Sequence, residues 1–450
     1  MMSEIDARTD DLGKLSALAV DVIARCKARG ASQAEVGANI DQGLSVNVRL
    51  GAVETLEFTR DRGFGVTVYL GQRKGSASTA DLKPESLALT IDKALAIAQF
   101  AEPDPDAGLA DADLMASDFS DLSMYHPAAL DADQAYALGL RCEEAGMAFD
   151  PRITLSDGAQ VSSGESLSVY ANSHGFVGAE RSSRHSISAS LIAGSGDAMQ
   201  RDYWYDSARA MADLASPEAI GRLAAERTVR RIAPRALKTQ TARVLYVPEL
   251  ARGLFGHLLS AVSGGALYRR ASFLLDRVGT PIFPEFVHLS EHPRLSRGLG
   301  SANFDGEGVA TRSTDLVAGG VLERYVLGSY SARKLKLKTT ANAGGVHNLV
   351  VAPGALDFDG MLKQLDTGLL LTELMGQGAS TVTGDYSRGA SGFWVERGEI
   401  AYPVEEITVA GNLAQMFMSI EAIGRDVDLR GNIRSGSVLL PQMTIGGSED

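Results

Sequence analysis

Three residues whose types and spacing could hold a metal ion lie close together in the second half of the chain. His288, Glu291 and His292 form the pattern HxxEH. In zinc hydrolases this pattern sets two histidines on one helical face to bind the metal, while the glutamate activates water. Two prolines precede the motif and a third follows it directly, and such residues favour extended backbone over helix. We therefore predict a loop with polar surface residues, with a zinc-binding helix as the less favoured alternative.

A second combination could supply a nucleophile. Ser331 and Lys334 match the SxxK element of penicillin-recognising enzymes, and residues 338–340 read KTT, close to their KTG element. In those enzymes the elements come from separate parts of the fold and a third, SDN, accompanies them. Here the two are nearly contiguous and SDN does not occur. We predict the basic end of a helix followed by a turn.

Length and composition narrow the kinds of protein this chain can be. Its 450 residues exceed what one ordinary hydrophobic core requires, so at least two domains are expected. The formal net charge of -13 argues against nucleic acid or an anionic membrane as a partner, because phosphate groups would repel it. The 48 glycines indicate many turns and therefore many strands.

Three features of the sequence favour the cytoplasm. The first residues are polar and acidic, unlike the basic and then apolar start of a signal peptide. Apolar stretches are too short, and too often interrupted by charges, to cross a membrane. Cys26 and Cys142 are the two cysteines of the chain and neither belongs to a CxxC pair, which suits a reducing compartment.

Helical and strand-like patterns alternate in the first half of the chain. Apolar residues recur at helical spacing over 11–29, which stops at Gly30, and again over 84–101. The alternation between them, over 34–82, predicts several short antiparallel strands. Residues 102–123 are acidic and aperiodic, so we predict an exposed connection, either a linker or a wrap along an edge.

The order helix, sheet, helix is then repeated before the pattern changes. Helical spacing over 128–149 and 216–233 flanks strand-like stretches over 153–193. Beyond a polar segment at 235–242, strands and glycine turns dominate. Such segregation of helices and strands predicts an α+β fold rather than a doubly wound sheet.

The predicted architecture therefore has two main parts. Residues 1–235 form an N-terminal α+β region with helices on antiparallel sheets, which the repeated order divides further into units 1–101 and 124–235. Residues 236–450 form a C-terminal β-rich, barrel-like domain.

Seven segments in the second half of the chain, in order, resemble the PmbA/TldD family of peptidases, and in particular its PmbA (TldE) branch. They are GHLLSAVSGGALYRR (256–270), EGVATR (307–312), YVLGSYSARKL (325–335), KTTANAGGVHNL (338–349), TELMGQG (372–378), TVTGDYSRGASGFWVERGEIAYPVEEITVAGNL (381–413) and MTIGG (443–447). The helix–meander–helix start agrees with the N-terminal region of the family, so the resemblance extends over nearly the whole chain.

The resemblance also implies where a metal site is missing. In the TldD branch the segment that matches 256–261 carries HExxxH, whose histidines bind the catalytic metal, and a cysteine near the C-terminus completes the ligands. This chain has Gly256, His257 and Ala261 at the three motif positions and no cysteine after Cys142. A hydrolytic zinc site needs three protein ligands and an open position for water. The expectation is no catalytic residue, metal or cofactor in this chain, and zinc in a partner subunit.

The function implied by the resemblance is that of a subunit in a cytosolic metallopeptidase complex that processes or degrades small unfolded peptides. A TldD-like subunit would be the catalytic partner in a heterodimer, and the isolated chain would form a homodimer. Family members are also named modulators of DNA gyrase. The alternative is a free-standing, non-enzymatic protein that binds peptides or regulates another protein.

An extended peptide could bind such a strand-rich subunit by adding to a sheet as a further strand. The glycine-rich segments 342–346 and 384–392 are candidates for close backbone approach to that peptide. The other interpretation is that they are tight turns between strands.

Overall fold

The computed structural model describes residues 2–447, except for the side chains of residues 2–9 and of Asp197. The helices are α1 (Met2–Ala28), α2 (Pro84–Phe100), α3 (Ala132–Met147), α4 (Pro217–Arg230), α5 (Pro248–Ala261), α6 (Gly264–Tyr268), α7 (Ser329–Lys334), α8 (Phe358–Leu365) and α9 (Leu413–Met418). The strands are β1 (Gln33–Arg49), β2 (Ala52–Leu70), β3 (Arg73–Thr79), β4 (Ile153–Asn172), β5 (Val177–Ala193), β6 (Gln200–Ala208), β7 (Gln240–Tyr246), β8 (Leu289–Glu291), β9 (Thr314–Ala318), β10 (Val321–Leu322), β11 (Leu349–Val351), β12 (Gly368–Met375), β13 (Asp385–Glu396), β14 (Glu399–Asn412), β15 (Ala422–Ile423), β16 (Ile433–Arg434) and β17 (Val438–Gly446).

The N-terminal part is built on one antiparallel sheet of six strands in the order β3-β2-β1-β4-β5-β6. The strands predicted as short are long, because glycines such as Gly43 lie within the β1–β2 ladder and do not end it. Since β1 and β4 are neighbours, both helix–sheet units contribute to the same sheet.

Four helices cover one face of this sheet in two pairs. Helices α1 and α2 bury a core that includes Val22 and Ile91 against β1, β2 and β4. Helices α3 and α4 bury a second core that includes Ile220 and Leu191 against β1, β4 and β5. A Cβ atom at Gly221 would lie 1.9 Å from the carbonyl oxygen of Cys142, so α3 and α4 approach closely because this residue is glycine.

The face of the sheet that carries no helices is polar. Serine, threonine and tyrosine side chains line two open hollows there, with volumes of about 480 and 520 Å³. Both thiols of the chain lie on the opposite, helical side and are buried. Burial raises the pKa of Cys26 to about 11 and that of Cys142 to about 12, so both are protonated at neutral pH.

The C-terminal part contains a closed barrel, as predicted. Its five strands follow the order β14-β13-β12-β7-β17 around the barrel, and pairing between β14 and β17 closes the ring. Strands β7 and β12 are parallel, whereas the other barrel neighbours are antiparallel. Helix α8 packs on the outside through Met361 and Leu365. The predicted α+β class with a strand-rich, barrel-like second part is confirmed.

A second, smaller sheet lies beside the barrel. Its five short strands follow the order β10-β9-β8-β11-β16, and helix α5 runs between this sheet and the barrel with buried residues facing a shared core. No helix of the described residues is both long and apolar enough to cross a membrane.

The connection at 102–123 is not the exposed segment that the sequence predicts. Four of its apolar side chains point inward and are buried: Leu109, Ala110, Ala116 and Leu122. Because they do not recur at a regular spacing, the sequence pattern does not reveal their burial. Its beginning is tied to α7, where Lys334 bonds to Asp104 at 2.8 Å.

Acid is expected to loosen this attachment. Hydrogen bonds from Lys334 and then Tyr330 lower the pKa of Asp104 to about 2 from 3.8. Because the folded-state pKa is depressed, the interaction stabilises the fold fully above the unfolded value and is lost as the pH falls through about 2. Hydrogen exchange of the segment around Asp104, corrected for intrinsic rates, should therefore rise between pH values near 5 and near 2. In Lys334→Ala it should already be fast at the higher pH, and equal protection of both proteins at both pH values would contradict the attachment.

Candidate functional site

The HxxEH residues lie on strand β8 and its flanks rather than on a helix or in a polar loop. His288 Nε2 is 3.0 Å from Asp315 Oδ1, and both side chains are exposed. His292 Nε2 instead lies 2.8 Å from Ser290 Oγ. Glu291 points to the other face of the strand and is 2% exposed, so the prediction of polar surface residues is wrong for Glu291.

Glu291 is the centre of a buried hydrogen-bond network. Its Oε1 accepts bonds from Asn342 Nδ2 at 2.8 Å, from the His347 backbone N–H at 2.7 Å and from His347 Nδ1 at 2.8 Å. Its Oε2 accepts a bond from Arg324. Burial alone would raise the pKa of Glu291, but the bonds from His347 and the Arg324 cation outweigh burial and lower it. Both carboxylate oxygens are thus occupied by structural partners.

Helix α5 carries the three positions at which the sequence lacks metal ligands. Pro248 begins the helix, and Ala251, Leu254, Phe255, Leu258 and Ala261 form its buried stripe. Gly256 lies off that stripe, where an added Cβ would meet no atom within 4 Å. Ala261, the last residue of the helix, is 0% exposed. In a regular helix the side chains at positions 256 and 261 point about 140° apart.

His257 is the one imidazole on this face of α5, and its surroundings are cationic and aromatic. Its ring packs edge-on against Tyr386, with 5.7 Å between the ring centroids. Burial, and then the neighbouring Arg388 cation, lower the pKa of His257, so it is neutral at physiological pH. The Arg388 Nε atom is buried and has no hydrogen-bond partner among the described residues.

These residues do not fit a catalytic metal. Gly256 offers no side chain, Ala261 offers a buried methyl group, and Arg388 places a fixed positive charge beside the remaining imidazole. Across residues 2–447, as far as side chains are described, no group of three or more His, Cys, Asp or Glu residues is arranged to hold a metal ion.

A groove opens at the C-terminal end of α5. Its volume is about 760 Å³, and its wall comes from α5 and α6, from the glycine loop after α7, and from the segment before β13. The lining side chains are mostly small or apolar, and the polar members are Ser260, Ser263, Arg269, Thr381 and Asn432. A groove of this size can hold part of an extended peptide.

The two glycine-rich segments named from the sequence have different roles. Gly344 and Gly345, in 342–346, line the groove and have φ angles of 99° and 112°. An added Cβ at either would meet no atom within 4 Å. Gly344 is exposed and open to a ligand, whereas the N–H and C=O groups of Gly345 already bond to Asn342. Residues 384–392 instead form mainly strand β13 of the barrel.

Other site residues could not be found by motif. Arg388 and Asn432 lie far apart in sequence, and the fold brings them to the region of α5 through β13 and the β16 segment. Of the two, only Arg388 had a signal in the sequence, because it lies in the glycine-rich segment 384–392. The SxxK pair behaves as predicted, because Ser331 lies within α7, and Lys334 is the last residue of that helix and is bound to Asp104.

Comparison with known proteins shows similarity over nearly the whole chain to one family. Three family models match the chain: the PmbA/TldA metallopeptidase domain 1 at residues 34–98, the central domain at 125–232 and the C-terminal domain at 239–447. The metalloprotease PmbA of Escherichia coli O157:H7 is 47% identical, over 99% of this chain and 98% of that protein.

Solved structures agree over nearly the full length. A candidate modulator of DNA gyrase from Bacteroides thetaiotaomicron superposes with a TM-score of 0.91 at 28% identity, covering 96% of this chain and 98% of that one. TldE from Thermococcus kodakarensis superposes with a TM-score of 0.81 at 18% identity, covering 96% of this chain and 100% of that one. The second likeness shows the shared fold alone.

Proposed function

This chain belongs to the PmbA/TldD metallopeptidase family, and on that basis we propose that it is the PmbA (TldE) type subunit of a cytosolic metallopeptidase complex. The complex processes or degrades small unfolded peptides. A TldD-like subunit holds the zinc and cleaves the peptide bond, and the present chain binds substrate beside it.

The observation that carries the proposal is that helix α5 is present without metal ligands. The fold retains the helix and its buried stripe, yet the positions that bear metal ligands in the TldD branch have Gly256 and Ala261, and Arg388 adds a cation next to His257. A chain that preserves the architecture of a metallopeptidase without its ligands is suited to a supporting role. Cleavage then requires a second subunit that provides three ligands and an open position for water.

The groove beside α5 supports a role in substrate binding. The exposed backbone at Gly344 can exchange hydrogen bonds with a peptide main chain, which gives affinity without strong sequence preference. Small and apolar lining residues such as Ala266 and Val326 leave room for varied side chains. These properties suit unfolded peptides of mixed sequence.

Filling the groove tests the proposal. Ser260 is exposed, lines the groove, and donates a hydrogen bond to the Gly256 carbonyl at 3.0 Å. We expect Ser260→Trp to raise the KM of the reconstituted complex for an unfolded peptide by at least about tenfold, a loss of about 1.4 kcal/mol in binding. Zinc content and subunit association should be unchanged.

A matched control is available on α2. Leu89 is 54% exposed and lies away from the groove, so Leu89→Trp should leave KM unchanged. Equal KM values for the wild-type, Ser260→Trp and Leu89→Trp complexes would place substrate binding elsewhere. If this chain had no effect on cleavage by the TldD-like subunit, the free-standing binding or regulatory protein would be the better description.

A further inference from the structure

The groove beside α5 holds a single charged side chain. Among the described residues that line it, Arg269 is the one cation, and none is an aspartate or a glutamate. The chain as a whole is acidic, with a formal net charge of -13. A groove that has one cation and no carboxylate in an acidic protein favours an anionic group on its occupant.

The guanidinium of Arg269 is held in place by aromatic neighbours. It lies over the ring of Tyr268, with 5.4 Å from Cζ to the ring centroid, and its Nη1 is 3.4 Å from Tyr268 Oη. The Tyr268 ring packs edge-on against Tyr330, with 5.9 Å between the centroids, and Tyr330 donates a hydrogen bond to Asp104 at 2.7 Å. These contacts restrict the cation before a ligand arrives, so less side-chain entropy is lost on binding.

Gly265 leaves room for this cation at the wall of the groove. A Cβ atom added at Gly265 would lie 3.3 Å from Arg269 Nη2, so a larger side chain there would displace the guanidinium. The contacts of Arg269 within the described part of the chain are with Tyr268, and no carboxylate there pairs with it. Most of its N–H donors are therefore available, and their fork matches a carboxylate, which accepts two parallel bonds.

We propose that Arg269 binds the C-terminal carboxylate of a peptide that lies in the groove. The inference rests on the proposed function, because it takes the groove as the place where peptide substrate binds. A C-terminal carboxylate is the anionic group that unfolded peptides of every sequence share. The other lining residues are uncharged, so they add no requirement for a particular charged side chain. The substrate class is then linear peptides with a free C-terminus.

Binding of two labelled peptides to the purified chain tests the proposal. Both carry a fluorophore at the N-terminus and the same unfolded sequence of small neutral residues, but one ends in a free carboxylate and the other in an amide. By fluorescence anisotropy we expect the free acid to bind at least about fivefold more tightly, because hydrogen bonds to a charged group are the stronger ones. The difference should shrink at high salt, since Arg269 is exposed.

Two adjacent arginines give a matched pair of variants. Arg269→Gln should abolish the preference for the free acid and leave the affinity for the amide peptide unchanged. Arg270 is also exposed but does not line the groove. Arg270→Gln removes the same charge from the chain and should keep the preference, which separates pairing at Arg269 from the overall charge of the protein.

A third peptide identifies the source of the carboxylate. It ends in an amide and has a glutamate immediately before that end, and we expect it to bind no more tightly than the neutral amide peptide. If it bound Arg269 as tightly as the free acid does, the groove would select acidic side chains, and the assignment to the C-terminus would be wrong.

The outcomes separate this inference from the proposed function. Equal affinities of the free acid and the amide, or a preference that survives in Arg269→Gln, would overturn the role of Arg269 and leave peptide binding in the groove intact. Absence of binding by all three peptides would overturn the inference together with the proposed role of this chain in substrate binding.

Discussion

Replacement of Glu291 by alanine is expected to lower the free energy of unfolding by about 3–5 kcal/mol, the usual consequence of removing one partner of a buried ion pair. Glu291 is 2% exposed, and its loss removes the carboxylate that pairs with the buried Arg324 cation and that accepts bonds from Asn342 and His347. Urea unfolding followed by circular dichroism measures the change. A shift of this size is comparable to much of the stability of an ordinary domain.

The other members of the HxxEH motif provide the control. His288 is exposed and bonds to the equally exposed Asp315, and exposed ion pairs contribute about 0–1 kcal/mol. His288→Ala should therefore change the free energy of unfolding by less than about 1 kcal/mol. A large effect at His288 with a small one at Glu291 would reverse these assignments. Loss of bound zinc in His288→Ala would revive the metal-binding alternative.

Restoring the motif of the TldD branch on α5 is expected to fail. The triple variant Gly256→His, His257→Glu and Ala261→His should bind no stoichiometric zinc and should not cleave peptides. The methyl group of Ala261 is fully buried, so a histidine there has no open space. Arg388 adds a positive charge nearby, and the chain has no cysteine after Cys142 to complete the ligands. Zinc content after dialysis and a peptide cleavage assay give the readout.

The single variants separate the causes. Ala261 is 0% exposed, so Ala261→His overpacks the core and should destabilise the fold by about 1–3 kcal/mol. Gly256 has open space at its Cβ, so Gly256→His should be tolerated and should add helix propensity of a few tenths of a kcal/mol or more. Tight zinc binding with peptide cleavage in the triple variant would show that α5 retains the geometry of a metal site.

Local sequence patterns predicted those elements whose stability comes from their own periodicity. The helix over 84–101 was found within one residue, as α2, because Pro84 begins it and its apolar residues recur at helical spacing. The helix over 11–29 ends as predicted, with Gly30 at a φ of 94°, but it begins earlier, at Met2. Polar helical turns at a chain end give little periodic signal.

Features that depend on distant partners were not visible in the sequence. Glu291 became a buried residue because Arg324, Asn342 and His347 converge on it from other segments. The connection at 102–123 is ordered by contacts with α7 that no local pattern encodes. The groove beside α5 was anticipated only at 342–346, since its other walls come together through the barrel and the small sheet.

The proposed division of labour is tested most directly by measuring zinc content and peptide cleavage for this chain, for the TldD-like subunit from the same source, and for their equimolar mixture. We expect this chain alone to hold no stoichiometric zinc and to be inert, and the mixture to cleave an unfolded peptide faster than the TldD-like subunit alone. Stoichiometric zinc with cleavage by this chain alone, or a mixture no faster than the TldD-like subunit, would contradict it.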